Sequence, residues 1–331
     1  MKMTIAFNTC GISGREIYHK YINSIRGILN QKFDDFRVVL SSCLNSHEVR
    51  SILFREFGSK ISYCFMDEKL PVNITFNKAV QKMTETFGES ETYLYVDSGV
   101  DISNDLDSLS KLYELHKSGP YGMTTSKADC DAGYWLWFGE NVPGWSPHHS
   151  PSPQQDEECS RQMFLNGHFE IPVGKTVNLH FQLFDNSIYQ NFNQKLMPDI
   201  FASHSTEGTF TFINSSLNRK FVIHKDVKVS HLTSMDGGSS GFRPEYAGVP
   251  GYQHTIHFSK KKIMDGVNSQ EAKECGFGYE ECQSILMHDK SKFDENGYSK
   301  DPERLKSFLI NNFYLSEEEL NYKNINCNFI K

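Results

Sequence analysis

Two carboxylates follow a run of strand-forming residues in the segment YLYVDSGVDIS, residues 93–103. Asp97 ends the strand-like part, and Asp101 comes four residues later, with Gly99 between them. About 130 residues further on, a second strand-like segment, FVIHKDVKVSH, ends in His231. Carboxylate oxygens suit Mg²⁺ and Mn²⁺, and Mn²⁺ also accepts imidazole. Asp97, Asp101 and His231 are therefore predicted to bind a divalent cation that neutralises a diphosphate. The alternative for both aspartates is a turn, since Asp and Gly are common turn residues.

The elements that must position these residues follow from the hydrophobic pattern of the first hundred residues. Strand-like runs fall at residues 4–8, 36–42, 61–66 and 93–97. Between them, apolar residues recur every three to four positions over 17–29, 49–57 and 74–87, which predicts helices. This βαβαβαβ order predicts an α/β fold with a mostly parallel central sheet flanked by helices on both faces. Such sheets bind ligands at the carboxyl ends of their strands.

The rest of the chain is predicted to add further helices and strands. The helices are expected at about 104–117, 208–217, 302–312 and 316–322, and the strands at 122–126 and 221–231. The segment ENVPGWSPHHSPSPQQDEEC, starting at residue 140, has little periodicity and is predicted to be a long surface loop.

Composition excludes several classes of function. The formal net charge is -7, with 34 basic and 41 acidic residues, and no basic cluster that would bind nucleic acid. No run approaches the roughly 20 apolar residues of a membrane span, and the N-terminus has no signal-peptide pattern. Eight scattered cysteines without a CxxC pair predict neither a disulfide framework nor a zinc site. We therefore expect a cytoplasmic protein.

Four features together resemble a known family. The strand order ends in a carboxylate at Asp97, and LPVNITFNKAVQKM, residues 70–83, is similar to an asparagine-containing helix that precedes that strand in the family. Glu207 opens a helix, and His231 ends a strand 24 residues later. In this arrangement the chain resembles the GT-A fold glycosyltransferases, which use nucleotide-sugar donors and carry a DxD motif. Gly99 occupies the third position of that motif, so the motif here is a variant, DSGVD.

The resemblance implies a metal-dependent enzyme that moves a sugar from a nucleotide-sugar to an acceptor hydroxyl, such as that of a glycan, with inversion at the anomeric carbon. It implies Mn²⁺ or Mg²⁺ as cofactor and Glu207 as the base, with Asp199 as the alternative base. The residues it places near the donor and its metal are Asn8, Thr9, Ser42, Asn77, Asp97, Ser98, Ser239 and Arg243. Ser239 and Arg243 lie in SMDGGSSGFRPE, residues 234–245, whose backbone N–H groups and one cation suit a diphosphate. A flexible linker is the alternative for that segment.

The resemblance also implies a domain organisation. A GT-A-like catalytic domain is expected over residues 1–250, with a nucleotide-sugar half over about 1–125 and an acceptor half over about 126–250. Residues 251–331 are expected to form a C-terminal extension of helices and loops packed on it. Trp135 and Trp137, two apart and on one face of a strand, are either an acceptor platform or core residues.

Two other functions stay open. A nucleotidyltransferase on a similar sheet usually carries a Gly-rich basic loop after the first strand, where NTCGISGRE supplies only Arg15. A carbohydrate-binding protein without catalysis would explain Gly99. Taken singly, Glu207 could be an acid that stabilises a helix N-terminus, and His231 an ordinary histidine at a strand end.

Overall fold

A computed structural model gives the fold of the chain. It describes residues 1–10, 15–43, 47–67, 70–97, 100–130, 164–174, 179–199, 207–231, 269–280, 285–316, 319 and 327–331. The predicted loop that begins at residue 140 and the tryptophan pair lie outside these residues.

The first half has the predicted alternation of strands and helices. The elements are β1 (Met3–Cys10), α1 (Arg15–Leu29), β2 (Phe36–Cys43), α2 (His47–Phe57), β3 (Ser62–Met66), α3 (Val72–Phe87) and β4 (Thr92–Asp97). The four strands lie in the order β3-β2-β1-β4 and are all parallel. The helices between them are long enough to make these crossovers.

The second half contributes shorter elements. They are β5 (Val100–Asp101), α4 (Ser108–Lys117), β6 (Tyr121–Cys130), β7 (Phe169–Glu170), β8 (Phe181–Asp185), α5 (Asn186–Asn191), α6 (Phe210–Ser216), β9 (Lys220–His231), α7 (Gln270–Glu274), β10 (Phe277–Glu280), β11 (Ile285–His288), α8 (Pro302–Phe313) and β12 (Cys327–Ile330). Helix α4 begins four residues later than predicted, because the Asp105 carboxylate accepts a hydrogen bond from the Asp107 N–H in a preceding turn. The helix predicted at 316–322 lies almost wholly outside the described residues.

The described strands form one large sheet and one hairpin. The sheet continues from β4 through an antiparallel β8 to β6 and β9, which are parallel to each other, and ends at β5. Strand β7 pairs with β9, and β10 pairs with β11. The architecture is therefore α/β with a mostly parallel central sheet flanked by helices, as predicted.

The core lies in two layers, one on each face of the sheet. One layer is formed by apolar residues of α1, α2 and α4, including Ile25, Leu53 and Leu109. The other is formed by α3 together with later helices, and it includes Phe76 and Phe308. Apolar side chains on both sheet faces explain the nearly unbroken apolar runs of the central strands.

The C-terminal strand corrects one expectation about cysteines. β12 pairs antiparallel with β3 at the sheet edge, and a disulfide joins Cys64 to Cys327 across this pair. The two cysteines are 263 residues apart, so their spacing gave no sign that they would meet. None of the helices in the described part of the chain is long and apolar enough to cross a bilayer.

Candidate functional site

Four of the predicted donor-binding residues meet at the carboxyl ends of three neighbouring strands. Because β1 and β4 are parallel, Asn8 lies directly beside Asp97. The pairing of β1 with β2 likewise sets Thr9 beside Ser42. All four side chains are buried, so this edge of the sheet carries a cluster of polar groups that is largely shielded from solvent.

The N-terminal turn of α3 closes one side of this edge. The Thr75 hydroxyl donates to Asn8 Oδ1 at 2.7 Å, and the Ser41 hydroxyl donates to the Thr75 carbonyl at 3.0 Å. The Thr9 hydroxyl donates to Ser42 Oγ at 2.5 Å. Sequence reasoning did not single out Thr75, although it lies inside the segment that carried the resemblance. Asn8 and Thr9 are therefore held in fixed positions by neighbouring polar groups.

Asp97 and the backbone of His231 are brought into one region by strand pairing. The Asp97 N–H donates to the His180 carbonyl at 2.9 Å, which ties the end of β4 to the segment before β8. Three residues beyond Asp97, Val100 pairs with His231 across the antiparallel β5–β9 ladder. The side chain of His231 lies outside the described residues, so its metal-binding role stays a prediction.

Asp101 is engaged in a turn. Its Oδ1 accepts a hydrogen bond from the Ser103 N–H at 2.8 Å. The same oxygen lies against α1, 3.5 Å from the position that a Cβ would take at Gly27. Asp101 therefore takes part in a turn, and its metal-binding role stays a prediction.

The described residues provide few ligands for the predicted metal ion. Within the described residues, no group of three or more His, Cys, Asp or Glu side chains is arranged to hold a metal ion. Asp97 is the buried carboxylate at the edge, and its chemistry suits Mg²⁺ or Mn²⁺. Ser98 and Gly99, which complete the DSGVD motif, lie outside the described residues.

The two predicted bases have different settings. Glu207 opens a 3₁₀ turn, Glu207–Thr209, that leads directly into α6, close to the predicted helix start. Asp199 is buried, and its Oδ2 binds Lys195 Nζ at 2.6 Å and the Leu315 N–H at 3.0 Å. Burial raises the pKa of Asp199 to about 6, against the opposing effect of the Lys195 ammonium. Asp199 thus binds protein groups, and the role of either carboxylate as the base stays a prediction.

Asn77 also binds protein groups. Its Oδ1 accepts from the Leu196 and Met197 N–H groups at 3.0 and 3.1 Å, and its Nδ2 donates to the Met197 carbonyl at 2.8 Å. Both ends of the amide are therefore taken up by the segment that leads to Asp199. A direct contact of Asn77 with a donor remains a prediction. Ser98, Ser239 and Arg243 lie outside the described residues, and their donor-binding roles likewise remain predictions.

Comparisons with known proteins support the fold. No protein-family model and no curated protein matches the sequence. Among solved structures, the chain is similar to the mannosyltransferase PcManGT from Pyrobaculum calidifontis in complex with GDP-Man and Mn²⁺. The TM-score is 0.50 at 11% identity, over 72% of this chain and 58% of that one. The chain thus spans less than two thirds of that enzyme.

Two further solved structures are of S. aureus TarS 1–349. The first has a TM-score of 0.47 at 14% identity, over 82% of this chain and 66% of that one. The second, in complex with UDP, has a TM-score of 0.46 at 14% identity, over 82% and 67%. At such low identity, the comparison with the mannosyltransferase shows the fold alone, an α/β architecture with a mostly parallel sheet flanked by helices.

Proposed function

We propose that the protein is a metal-dependent glycosyltransferase that moves a sugar from a nucleotide-sugar donor to an acceptor hydroxyl, with inversion at the anomeric carbon. The observation that carries this proposal is the polar edge at the ends of β1, β2 and β4, where Asp97 lies beside Asn8. The GT-A-like fold supports it, since the mannosyltransferase of similar fold was solved with GDP-Man and Mn²⁺.

In this proposal the sheet edge holds the donor. Asn8, Thr9 and Ser42 line the nucleotide side, where their hydrogen bonds keep them in place before a ligand arrives. Asp97 and His231 hold the divalent cation. When bound, the cation supplies positive charge that stabilises the departing nucleoside diphosphate. Asp101 stays in its turn with Ser103 and is not part of this cation set.

Glu207 acts as the proton acceptor. Its place at the start of the turn that leads into α6 puts its backbone at a helix N-terminus, where the helix dipole favours the ionised carboxylate. An ionised carboxylate is what removal of the acceptor proton requires near neutral pH. The acceptor is a hydroxyl compound such as a glycan.

Nucleotide binding with and without metal tests the proposal. We expect UDP or GDP to bind at least about tenfold more tightly with Mn²⁺ than with EDTA, a difference of about 1.4 kcal/mol. Asp97→Ala should abolish this difference, and isothermal titration calorimetry measures both. Equal binding with and without metal would contradict the proposal.

Asp101→Ala is the matched control, because it removes a carboxylate four residues away that is engaged in a turn. It should keep the metal dependence of binding. If it abolishes that dependence instead, Asp101 is a cation ligand and the whole DSGVD motif is the metal site. Binding that does not depend on metal, without any release of free sugar or transfer to an acceptor, would favour the non-catalytic carbohydrate-binding alternative, a protein that has lost its metal site.

A further inference from the structure

The segment before Glu207 is held by two asparagines of α3. Asn77 binds the backbone at residues 196 and 197 through both ends of its amide. Asn73, one helical turn earlier on the same face, donates through Nδ2 to the Pro198 carbonyl. Both asparagines are buried. Side-chain hydrogen bonds from α3 thereby fix the backbone of three consecutive residues, 196–198, in this connecting segment.

The next residue ties this segment to the C-terminal extension. Asp199 donates its N–H to the Phe313 carbonyl at 2.9 Å and accepts the Leu315 N–H at 3.0 Å. Lys195 completes the arrangement, since its ammonium binds Asp199 Oδ2 at 2.6 Å and also donates to the Leu315 carbonyl. The side chain of Asp199 is 2% exposed and that of Lys195 is 11% exposed. We call Asn73, Asn77, Lys195, Asp199 and Leu315 the Asp199 clamp.

The helix after Glu207 is held by the same extension. Phe212 of α6 stacks on Phe277 with ring centroids 4.0 Å apart. Phe277 in turn contacts Phe308 and Phe313 of α8, at 5.2 and 5.6 Å. The extension therefore contacts the chain on both sides of Glu207: through Asp199 eight residues before it, and through Phe212 five residues after it.

We infer that Asp199 is a positioning residue, which together with Lys195 and the C-terminal extension sets the place of Glu207. This inference rests on the proposed function. A carboxylate that is 2% exposed and bound to a lysine and a backbone N–H is closed to a substrate hydroxyl. It can act on Glu207 through the extension, since Asp199 binds the Phe313 carbonyl and Phe313 packs against Phe277, which stacks on Phe212 of α6. A displacement of about 1 Å at a catalytic group costs about 10²-fold in rate.

The test uses Asp199→Asn, Lys195→Met and the double variant in the full chain. Each single change leaves a buried partner without its counter-charge, whereas the double change removes both charges. We expect each single variant to lower kcat for Mn²⁺-dependent hydrolysis of UDP-glucose, UDP-GlcNAc or GDP-mannose by at least about tenfold. The donor KM should change by less than about threefold, and the double variant should recover part of the lost kcat.

The matched control is Asp185→Asn, which alters a partly buried carboxylate at the end of β8, opposite the start of β4, with Arg219 and the His116 imidazole beside it. It should lower the melting temperature but leave kcat unchanged when activity is measured well below that temperature. If the double variant is as inactive as Asp199→Asn while Lys195→Met keeps normal kcat, Asp199 is itself the base and the inference is overturned. Normal kcat in all three variants overturns it as well.

Hydrogen exchange separates this inference from the proposed function. Amides of residues 208–216 should exchange faster in both single variants than in the wild type, and no faster in Asp185→Asn. This measurement needs no turnover. Unchanged exchange in both single variants would contradict the inference that the Asp199 clamp holds the helix after Glu207. A wild type that turns over no nucleotide-sugar overturns the proposed function, and the exchange data then still decide whether the clamp holds the helix.

Discussion

Asp185 is a partly buried carboxylate and Asp199 a buried one, each beside a cationic side chain, yet their pKa values shift in opposite directions. Asp185 lies opposite Thr92, at the amino end of β4. Asp199 lies in the segment that leads to Glu207. Burial acts to raise the pKa of both carboxyls. The difference therefore comes from the groups that compensate the charge.

Asp185 has several such groups. Its Oδ2 is 3.3 Å from His116 Nε2, and its Oδ1 accepts the Ser187 N–H at 2.9 Å and lies 3.4 Å from Arg219. Although burial raises it, these contacts lower the pKa of Asp185 well below its usual range. Burial lowers the pKa of His116, so the imidazole is a neutral hydrogen-bonding partner at pH 7.

Among the described residues, Asp199 has Lys195 as its one cationic partner, and it is more deeply buried than Asp185, so burial dominates and its pKa rises to about 6. The comparison teaches that proximity to a cation does not by itself keep the pKa of a buried carboxyl low. Asp185 keeps its charge throughout the physiological range. The charge of Asp199 depends on pH close to neutrality, in the segment next to the proposed base.

The largest effect is expected at Glu207, the proposed base in the segment that follows Asp199. Glu207→Gln keeps the size of the side chain but removes the basic oxygen. Transfer or hydrolysis of the nucleotide-sugar should fall at least about 10²-fold in kcat, which is the scale of general-base catalysis. Donor affinity, measured by calorimetry with Mn²⁺, should stay nearly unchanged, because the proton is accepted only in the transition state.

Asp185→Asn is the control for Glu207→Gln, and we expect it to have the kcat of the wild type. Nearly normal turnover in Glu207→Gln would mean that another carboxylate is the base. If no carboxylate change in this region matters, the enzyme transfers the sugar with retention, and the inverting mechanism is wrong.

A smaller effect is expected on stability at the amino end of β4. Asp185→Asn weakens the contacts to His116 and Arg219 and leaves buried polar groups poorly matched. The free energy of unfolding at pH 7 should fall by about 1–3 kcal/mol, the usual cost of a buried polar group that loses its partner. Urea denaturation followed by circular dichroism measures it. A change below about 0.5 kcal/mol would show that the contacts of Asp185 contribute little.

An effect of similar size is the pH dependence that distinguishes the two carboxylates. The folded pKa of Asp199, about 6, is above the unfolded value of 3.8, so the folded state binds more protons between these pH values. The contribution of Asp199 to stability should therefore decrease as pH rises from about 4 to 6, by on the order of 1–3 kcal/mol. Asp185 has the opposite sign, and its contribution should be lost only as pH falls below about 4.

Urea denaturation at pH 4, 5, 6 and 7 measures this contribution as the difference between the wild type and Asp199→Asn. The difference should change in favour of the variant as pH rises. A difference that does not vary with pH would mean that Lys195 keeps Asp199 ionised throughout, and the contrast between the two carboxylates would disappear.

Several features of the fold could be predicted from local pattern because local physics specifies them. Helix α3 begins after a proline and carries apolar residues at helical spacing, and the central strands are β-branched and aromatic runs. Strand alternation with long crossovers then requires parallel pairing, so Asn8 and Asp97 had to share one edge. The four strand-end residues of the proposed donor site were named from the resemblance, and parallel pairing accounts for their lying at one edge.

Other features depend on contacts between residues far apart in the chain, which no local pattern encodes. The disulfide of Cys64 with Cys327 and the contact of Asp199 with Leu315 join residues 263 and 116 positions apart. The sequence by itself determined the alternation of strands and helices, the helix after Glu207 and the polar carboxyl edge, because hydrophobic period and chain connectivity are local properties. Only the tertiary structure decided that Asp101 turns toward Ser103 and that Asn77 and Asp199 bind protein groups, because burial and partner geometry arise when distant segments pack together.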